Sequence, residues 1–318
     1  MADFVIIPDS SSDFTKDLRD RFGVPDVLRG MVYFPDGHAE ACDVDWEKYN
    51  PKDFFESMRS KKVIYKTATA PTGDIKTLFE KHLKEGKDII SLSLSRALSG
   101  THSLCEMAKK DLLKQYPDRK IYCLDSNGYS GSMVVLIIMA LKLKEQGASI
   151  DEVAQYIEKT KHCIHQMGSM DDLFFLVKTG RISNFKAFFG SLMGINPMAD
   201  FNREGLSQVI HKFKGKKAAF DATLEYIKKT IIDPQDQIIV VCHSNREQQA
   251  QLLAQRIRDE IKPKEVIINH IGMSCGPSIG PGLCAAYYYG TEISEGLENE
   301  QKIMASIADD IKNRGKNK

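Results

Sequence analysis

The sequence has no C-x-x-C pair. Its 7 cysteines are scattered, which argues against a zinc knuckle and against a disulfide framework. It has almost no net charge, +1 over 318 residues, so no strong field recruits nucleic acid or an anionic membrane. It has no long apolar run: the longest, Met133 to Leu141, is too short to span a bilayer. The opening Met-Ala-Asp-Phe-Val lacks a basic region followed by an apolar stretch. No signal peptide is expected, and the cytoplasm is the expected location. There is no G-x-x-x-x-G-K-[ST] loop and no G-x-G-x-x-G turn, so common ATP and NAD sites are not indicated; the sequence Gly272-Met-Ser-Cys-Gly276 matches G-x-S-x-G, but it lies in a Gly- and Pro-rich stretch. His162 and His165 come without a matching Cys or carboxylate pair, and no metal site is expected.

What is present is led by one stretch, residues 88–103. Ile89 to Leu94 reads as a buried strand, and a hydroxyl-rich turn, Ser95 to Thr101, follows it. Leu104, Met107, Ala108 and Leu112 then mark one face of a helix. Such a turn lies at a strand's carboxyl end and a helix's amino end, where open α/β sheets bind ligands. Free backbone N–H groups and the helix dipole favour an anion there. Ser95, Ser99, Thr101 and Ser103 add hydroxyls, and Gly100 permits close backbone approach. The pattern fits a carboxylate or phosphate pocket. It equally fits a serine capping an ordinary helix.

The first half alternates strands and helices. Phe4 to Ile7 ends at Asp9-Ser10-Ser11-Ser12. Asn50-Pro51 starts a helix, and Ile75, Leu78, Phe79, His82 and Leu83 form a helical stripe. Ile121 to Leu124 ends at Asp125-Ser126, and helix 131–146 closes at Gly147. These units predict a mainly parallel sheet flanked by helices. The second half predicts a mixed or antiparallel sheet with helices. Ile195 to Phe201 and Leu206 to His211 flank a hairpin turn at Asn202 to Gly205. Further strands fall at 238–241 and 265–269, and helices at 246–260 and near the end. Residues 272–282 are too rich in Gly and Pro for regular structure. Two α/β domains are expected, 1–163 and 164–318.

Five of the 15 phenylalanines lie between Phe174 and Phe189. Most of this segment reads as core, and part of it as the wall of an apolar pocket. Arg181, beside a turn glycine, reads as a surface residue or as a charge at a ligand mouth. The run Lys212 to Lys217 reads as a solvated loop and helix start. A serine hydrolase or acyl transferase is the rival reading, with Ser99 as nucleophile and Asp125 plus a histidine completing a triad. No spacing supports that assembly.

Six stretches together resemble the DegV family of bacterial fatty-acid-binding proteins along nearly the whole chain. They are Ile7-Pro-Asp-Ser-Ser-Ser-Asp13, Thr67-Ala-Thr-Ala-Pro-Thr-Gly-Asp74, Leu98-Ser-Gly-Thr101, Leu124-Asp-Ser126, Gly180-Arg-Ile-Ser183 with Gly190 to Pro197, and Gly280-Pro-Gly282. The resemblance implies a DegV-like fold of two α/β domains with a long-chain fatty acid buried between them. It implies no cofactor beyond that ligand and no chemistry of the chain's own. The partner it implies is an ATP-dependent fatty acid kinase, to which the bound carboxylate is presented. It places the carboxylate near Thr67 and Ser99 and puts Arg181 by the pocket and the kinase-contacting face. Gly100, Thr101, Ser95 and Ser278 complete the expected ligand-binding set. Two departures stand out. The neighbours of Thr67 differ from the family's loop, and Ser278 replaces the family's histidine before Gly-Pro-Gly, which removes an imidazole from the head-group network.

Overall fold

A computed structural model describes residues 3–183 and 194–316. Strand β1 (Phe4–Pro8) leads through a tight turn at Ser10–Ser12 to α1 (Lys16–Phe22). Strands β2 (Met31–Tyr33) and β3 (Ala39–Ala41), then α2 (Pro51–Met58) and β4 (Lys66–Ala68), follow. Next come α3 (Thr72–Lys84), β5 (Asp88–Ser93), α4 (Thr101–Leu112), β6 (Ile121–Asp125), α5 (Gly131–Glu145) and α6 (Ile150–Thr160). The second half opens with β7 (Ile164–Met170), α7 (Phe174–Thr179) and β8 (Ile182–Ser183). It continues through β9 (Ile195–Phe201), β10 (Ser207–Lys214), α8 (Lys216–Thr230), β11 (Ile238–His243) and α9 (Glu247–Glu260). It closes with β12 (Glu265–His270), α10 (Gly276–Ile279), β13 (Leu283–Tyr289) and α11 (Glu298–Lys316).

The expected parallel sheet is there, in the order β1-β5-β6. Its strands are apolar on both faces, as a sheet covered on both sides requires. Val5, Ile7 and Ile89 face α3 and α4, whereas Phe4, Ile6, Ile90 and Leu92 face the main core. The second sheet is mixed, in the order β12-β11-β13-β7, with β11 and β12 parallel and the other pairs antiparallel. β9 and β10 form the expected hairpin, with β8 added parallel to β10.

Helix α5 lies between the two main sheets, touching β1 on one side and β7, β11 and β13 on the other. Its sequence explains why. Residues 131–138 are buried all round, and only the last turns carry lysines. Its first residue must be glycine: a Cβ at Gly131 would stand 2.3 Å from the Tyr287 ring on β13. One apolar core therefore runs from Phe4 to Ile307 through both halves of the chain.

Several expectations are corrected. The Gly- and Pro-rich stretch 272–282 contains one helical turn, α10, with Pro277 in its first turn, where proline's missing N–H costs nothing. The small sheet β3-β2-β4 was not expected; its strands have three residues each and are mostly exposed. Lys212 and Lys214 belong to β10 rather than to a loop. Of the Phe-rich segment, Phe175 is buried and Phe174 partly so, both on α7. Phe185, Phe188, Phe189, Leu192 and Met193 lie outside the described residues. No helix among the described residues is long and apolar enough to cross a membrane.

Candidate functional site

A cavity of about 400 Å³ opens at the carboxyl ends of β1 and β5. One wall is Asp9, Ser10 and Ser11, which follow β1, and another is Leu94 with Ala97 to Thr101, which follow β5. The strand β4 and its following loop supply Thr67 to Ala70. The far side comes from the second half: Leu176, Arg181, Ser274, Cys275, Ser278 and Ile279. Its volume falls in the range of roughly 300–1,000 Å³ usual for small-molecule sites.

The first wall is built by local hydrogen bonding. The Asp9 carboxylate accepts from the Ser11 N–H at 2.7 Å and from the Leu94 N–H at 2.9 Å, tying the end of β1 to the end of β5. Burial pushes the Asp9 carboxyl up to about 6, against the pull of those two N–H groups. Behind it, burial pushes Asp13 up to about 7, although the Ser130 hydroxyl donates to it. The Ser10 hydroxyl accepts from the Gly30 N–H at 3.0 Å and pairs with the Ser274 hydroxyl at 2.5 Å, joining the two halves of the chain.

Six of the seven expected residues line this cavity: Thr67, Ser99, Gly100, Thr101, Arg181 and Ser278. Ser99 and Thr101 share a hydrogen bond between hydroxyls at 3.0 Å, and Ser99 also accepts weakly from the Thr101 N–H. The capping role and the cavity-lining role thus coexist in Ser99. The hydroxyls of Thr67 and Ser278 have no hydrogen-bond partner among the described residues, and Arg181 is exposed at the mouth. Ser95 is not in the cavity. It is fully buried, its hydroxyl donates to the Glu204 carbonyl at 3.2 Å and accepts from the Ala97 N–H. Gly205, at φ +79°, packs so closely on Ser95 that a Cβ would meet its Oγ at 2.3 Å. Ser95 therefore seats the β9–β10 turn. Ser103, three residues into α4, is exposed and away from the cavity.

Sequence reasoning missed Asp9, Ser10 and Ser274 as lining residues. The first two had a signal, since they close the first strand. Ser274 is the serine of Gly272-Met-Ser-Cys-Gly276, but its place beside Ser10 depends on packing across 264 residues of chain. His165 lies away from this cavity. It lies on β7, with Nδ1 2.6 Å from the Asp200 carboxylate and Nε2 2.8 Å from the Thr291 carbonyl, so both ring nitrogens are used.

Tyr129 and Leu176 line this cavity and also a second, smaller space of about 30 Å³. That space is walled mainly by Met170, Leu173, Ile182, Pro197, Ala199 and Leu283. The Tyr129 hydroxyl is held by Ser207 at 2.8 Å, and burial pushes its phenol up to about 12. The chemistry on offer is that of a binding site: hydroxyl donors and a cationic rim lead to an apolar interior. A hydrolase would need a base. No histidine among the described residues lines the cavity, and the Ser99 hydroxyl pairs with Thr101. Asp125 instead accepts from the Asn127 N–H and lies 3.4 Å from Arg96.

A fold of this kind with its opening between two mixed α/β halves has known counterparts. A family model described as "Uncharacterised protein, DegV family" matches residues 3–291. A DegV domain-containing protein of Clostridium perfringens is 30% identical over 290 residues, 91% of this chain and 98% of the relative. The chain belongs to the DegV family. Among solved structures, a DegV family protein from Thermus thermophilus, reported for its fatty acid binding, is 25% identical with a TM-score of 0.81; the match covers 92% of this chain and 100% of that one. The Fak B3 protein of Streptococcus pneumoniae fatty acid kinase, loaded with linoleic acid, has the same fold: TM-score 0.75, 22% identity, 90% of this chain and 99% of that one.

Proposed function

We propose that the protein is a cytoplasmic carrier that buries a long-chain fatty acid between residues 1–163 and 164–318. The carboxylate sits at Thr67, Ser99 and Ser278, with Arg181 at the mouth and Gly100 and Thr101 shaping the turn. The acyl chain runs past Tyr129 and Leu176 toward the smaller space. The carrier needs no other cofactor and catalyses nothing itself; it presents the carboxylate to an ATP-dependent fatty acid kinase.

One observation carries this reading: two hydroxyls without partners and an exposed guanidinium face the same cavity, whose remaining lining includes Leu28, Leu94, Leu98, Leu176 and Ile279. A carboxylate satisfies the donors, and an alkyl chain is what the leucines prefer to water. The fatty acids named for the Thermus thermophilus and Streptococcus pneumoniae proteins support the same ligand class. Among the described residues no histidine lines the cavity, which speaks against the hydrolase reading. Native mass spectrometry with lipid extraction tests the proposal. The protein carries one acyl chain, and added oleate raises the melting temperature of delipidated protein. A chain that holds no lipid and ignores oleate is not this carrier.

A further inference from the structure

The second parallel strand pair ends in two imidazoles. His243 closes β11, His270 closes β12, and the register places them side by side. Their ring centroids are 4.4 Å apart. Glu247, the first residue of α9, brings its Oε2 to 3.1 Å from His243 Nε2 and 3.9 Å from His270 Nε2. The ligand atoms of these three side chains all lie within 4.8 Å of one another, the one such group of His, Cys, Asp and Glu side chains found among the described residues.

The hydrogen bonding of this corner is incomplete. The His243 side chain is 1% exposed, yet its Nε2 makes no hydrogen bond of acceptable geometry, even to the nearby Glu247 oxygen. His270 Nδ1 is likewise buried without a partner. A buried ring nitrogen without a partner carries a real free-energy cost, and native structures rarely keep one without a reason. A nitrogen and an oxygen that stand close without bonding can both point at a third atom between them.

We propose that His243, Glu247 and His270 bind a divalent cation of the zinc class. Two imidazoles and one carboxylate, with water as the fourth ligand, form a known zinc set. A tetrahedral zinc with bonds of about 2.0–2.1 Å separates its ligand atoms by about 3.3 Å. The His243–Glu247 spacing of 3.1 Å is close to this value. His270 and Glu247, at 36% and 56% exposed, leave one side open for closing up, for the water and for the ion's approach. Imidazole disfavours magnesium and calcium, which take oxygen sets. The opposing term is a tautomer change. The Arg246 N–H bonds to His243 Nδ1 at 3.3 Å, so a metal on Nε2 moves the ring proton to Nδ1 and forfeits that long bond.

The bound ion would pin β11, β12 and the start of α9 together. The test uses the untagged full chain, stripped with EDTA and titrated with zinc chloride against a chromophoric zinc indicator. One equivalent should bind, and the melting temperature should rise with zinc concentration. Glu247→Gln and His270→Gln, whose side chains are partly exposed, should keep the zinc-free melting temperature. Each should lose at least the tenfold to hundredfold in zinc affinity that even an indirect partner of a zinc ligand contributes. Cobalt should give a visible d–d band without thiolate charge transfer, unchanged in Cys163→Ser, which removes the one cysteine that is not buried. Failure to bind zinc at micromolar concentration, affinity in both variants equal to that of the unmodified chain, or a thiolate band lost in Cys163→Ser would each overturn the proposal.

Discussion

Two rims of this molecule occupy the same topological position and carry different chemistry. The carboxyl ends of β1, β5 and β6 present Asp9, Ser93 and Asp125; the carboxyl ends of β11 and β12 present His243 and His270. At the first rim the acids are occupied with the backbone. Asp9 holds Leu94 and Ser11, and Asp125 holds Asn127. The charged groups there build the wall, and uncharged hydroxyls from elsewhere are left to meet a ligand. At the second rim the titratable side chains build little and are themselves left over. Parallel-sheet topology decides where a ligand can sit. Which side chains are already committed to the backbone decides what kind of ligand it is.

The largest expected effect separates the two rims outright. Thr67→Val with Ser278→Ala removes two hydrogen bonds to a charged acceptor, each worth about 1.5–3 kcal/mol. Oleate affinity should fall by about a hundredfold or more. Zinc affinity should not change, and His270→Gln should leave oleate affinity intact. A cross-effect in either calorimetric titration would show that the rims are one site.

The second prediction concerns pH. The folded-state carboxyls of Asp9 and Asp13 lie at about 6 and about 7, above an ordinary value of 3.8. Raised carboxyls favour the folded chain when protonated. Their contribution is fully present below about pH 4 and is lost as pH rises through about 6 and then about 7, at up to about 1.4 kcal/mol per pH unit for each group. Denaturant unfolding from pH 5 to 8 should show this decline, and Asp13→Asn should flatten its upper part. Equal slopes for the two proteins would mean that Asp13 is ionised throughout.

A smaller change is expected at Ser278. Ser278→His supplies an imidazole that can take up positive charge beside a carboxylate. It should raise acyl-phosphate formation severalfold in an assay with the cognate kinase. High output from the unmodified chain, with no gain from histidine, would show that hydroxyls suffice. The smallest effect belongs to Ser95→Ala. It should destabilise the chain by about 1 kcal/mol through the β9–β10 turn and leave oleate affinity unchanged. A loss of affinity would return Ser95 to the binding set.

The contrast between the rims also explains what could be read from the sequence. The turn from β5 to α4 was legible because strand, hydroxyls and helix are contiguous, and local pattern fixes them together. Ser95 was misassigned for the same reason: its partner Glu204 arrives from a distant hairpin, and local pattern says nothing of that. The family motifs singled out Thr67, Arg181 and Ser278, which line one cavity and which no periodicity would have linked. The histidine pair was invisible. His243 and His270 are two lone residues until the register of β11 on β12 aligns them. α10 was hidden because glycine and proline mark helix ends as often as loops. The three-residue strands β2 to β4 were too short and too exposed to leave a period.

Helix α5 has a kinetic consequence. It is held on one side by β1 and on the other by β7, β11 and β13, with Gly131 pressed against Tyr287. Swinging the sheets apart would wet both flanks of a helix that is apolar all round. Exchange of the proposed ligand is therefore expected through breathing of the cavity's edges, at the loop after β4 and the turn after α7, rather than by parting of the sheets. The amide protons of α5 should exchange with solvent only as fast as the whole chain unfolds, and those of residues 67–70 orders of magnitude sooner.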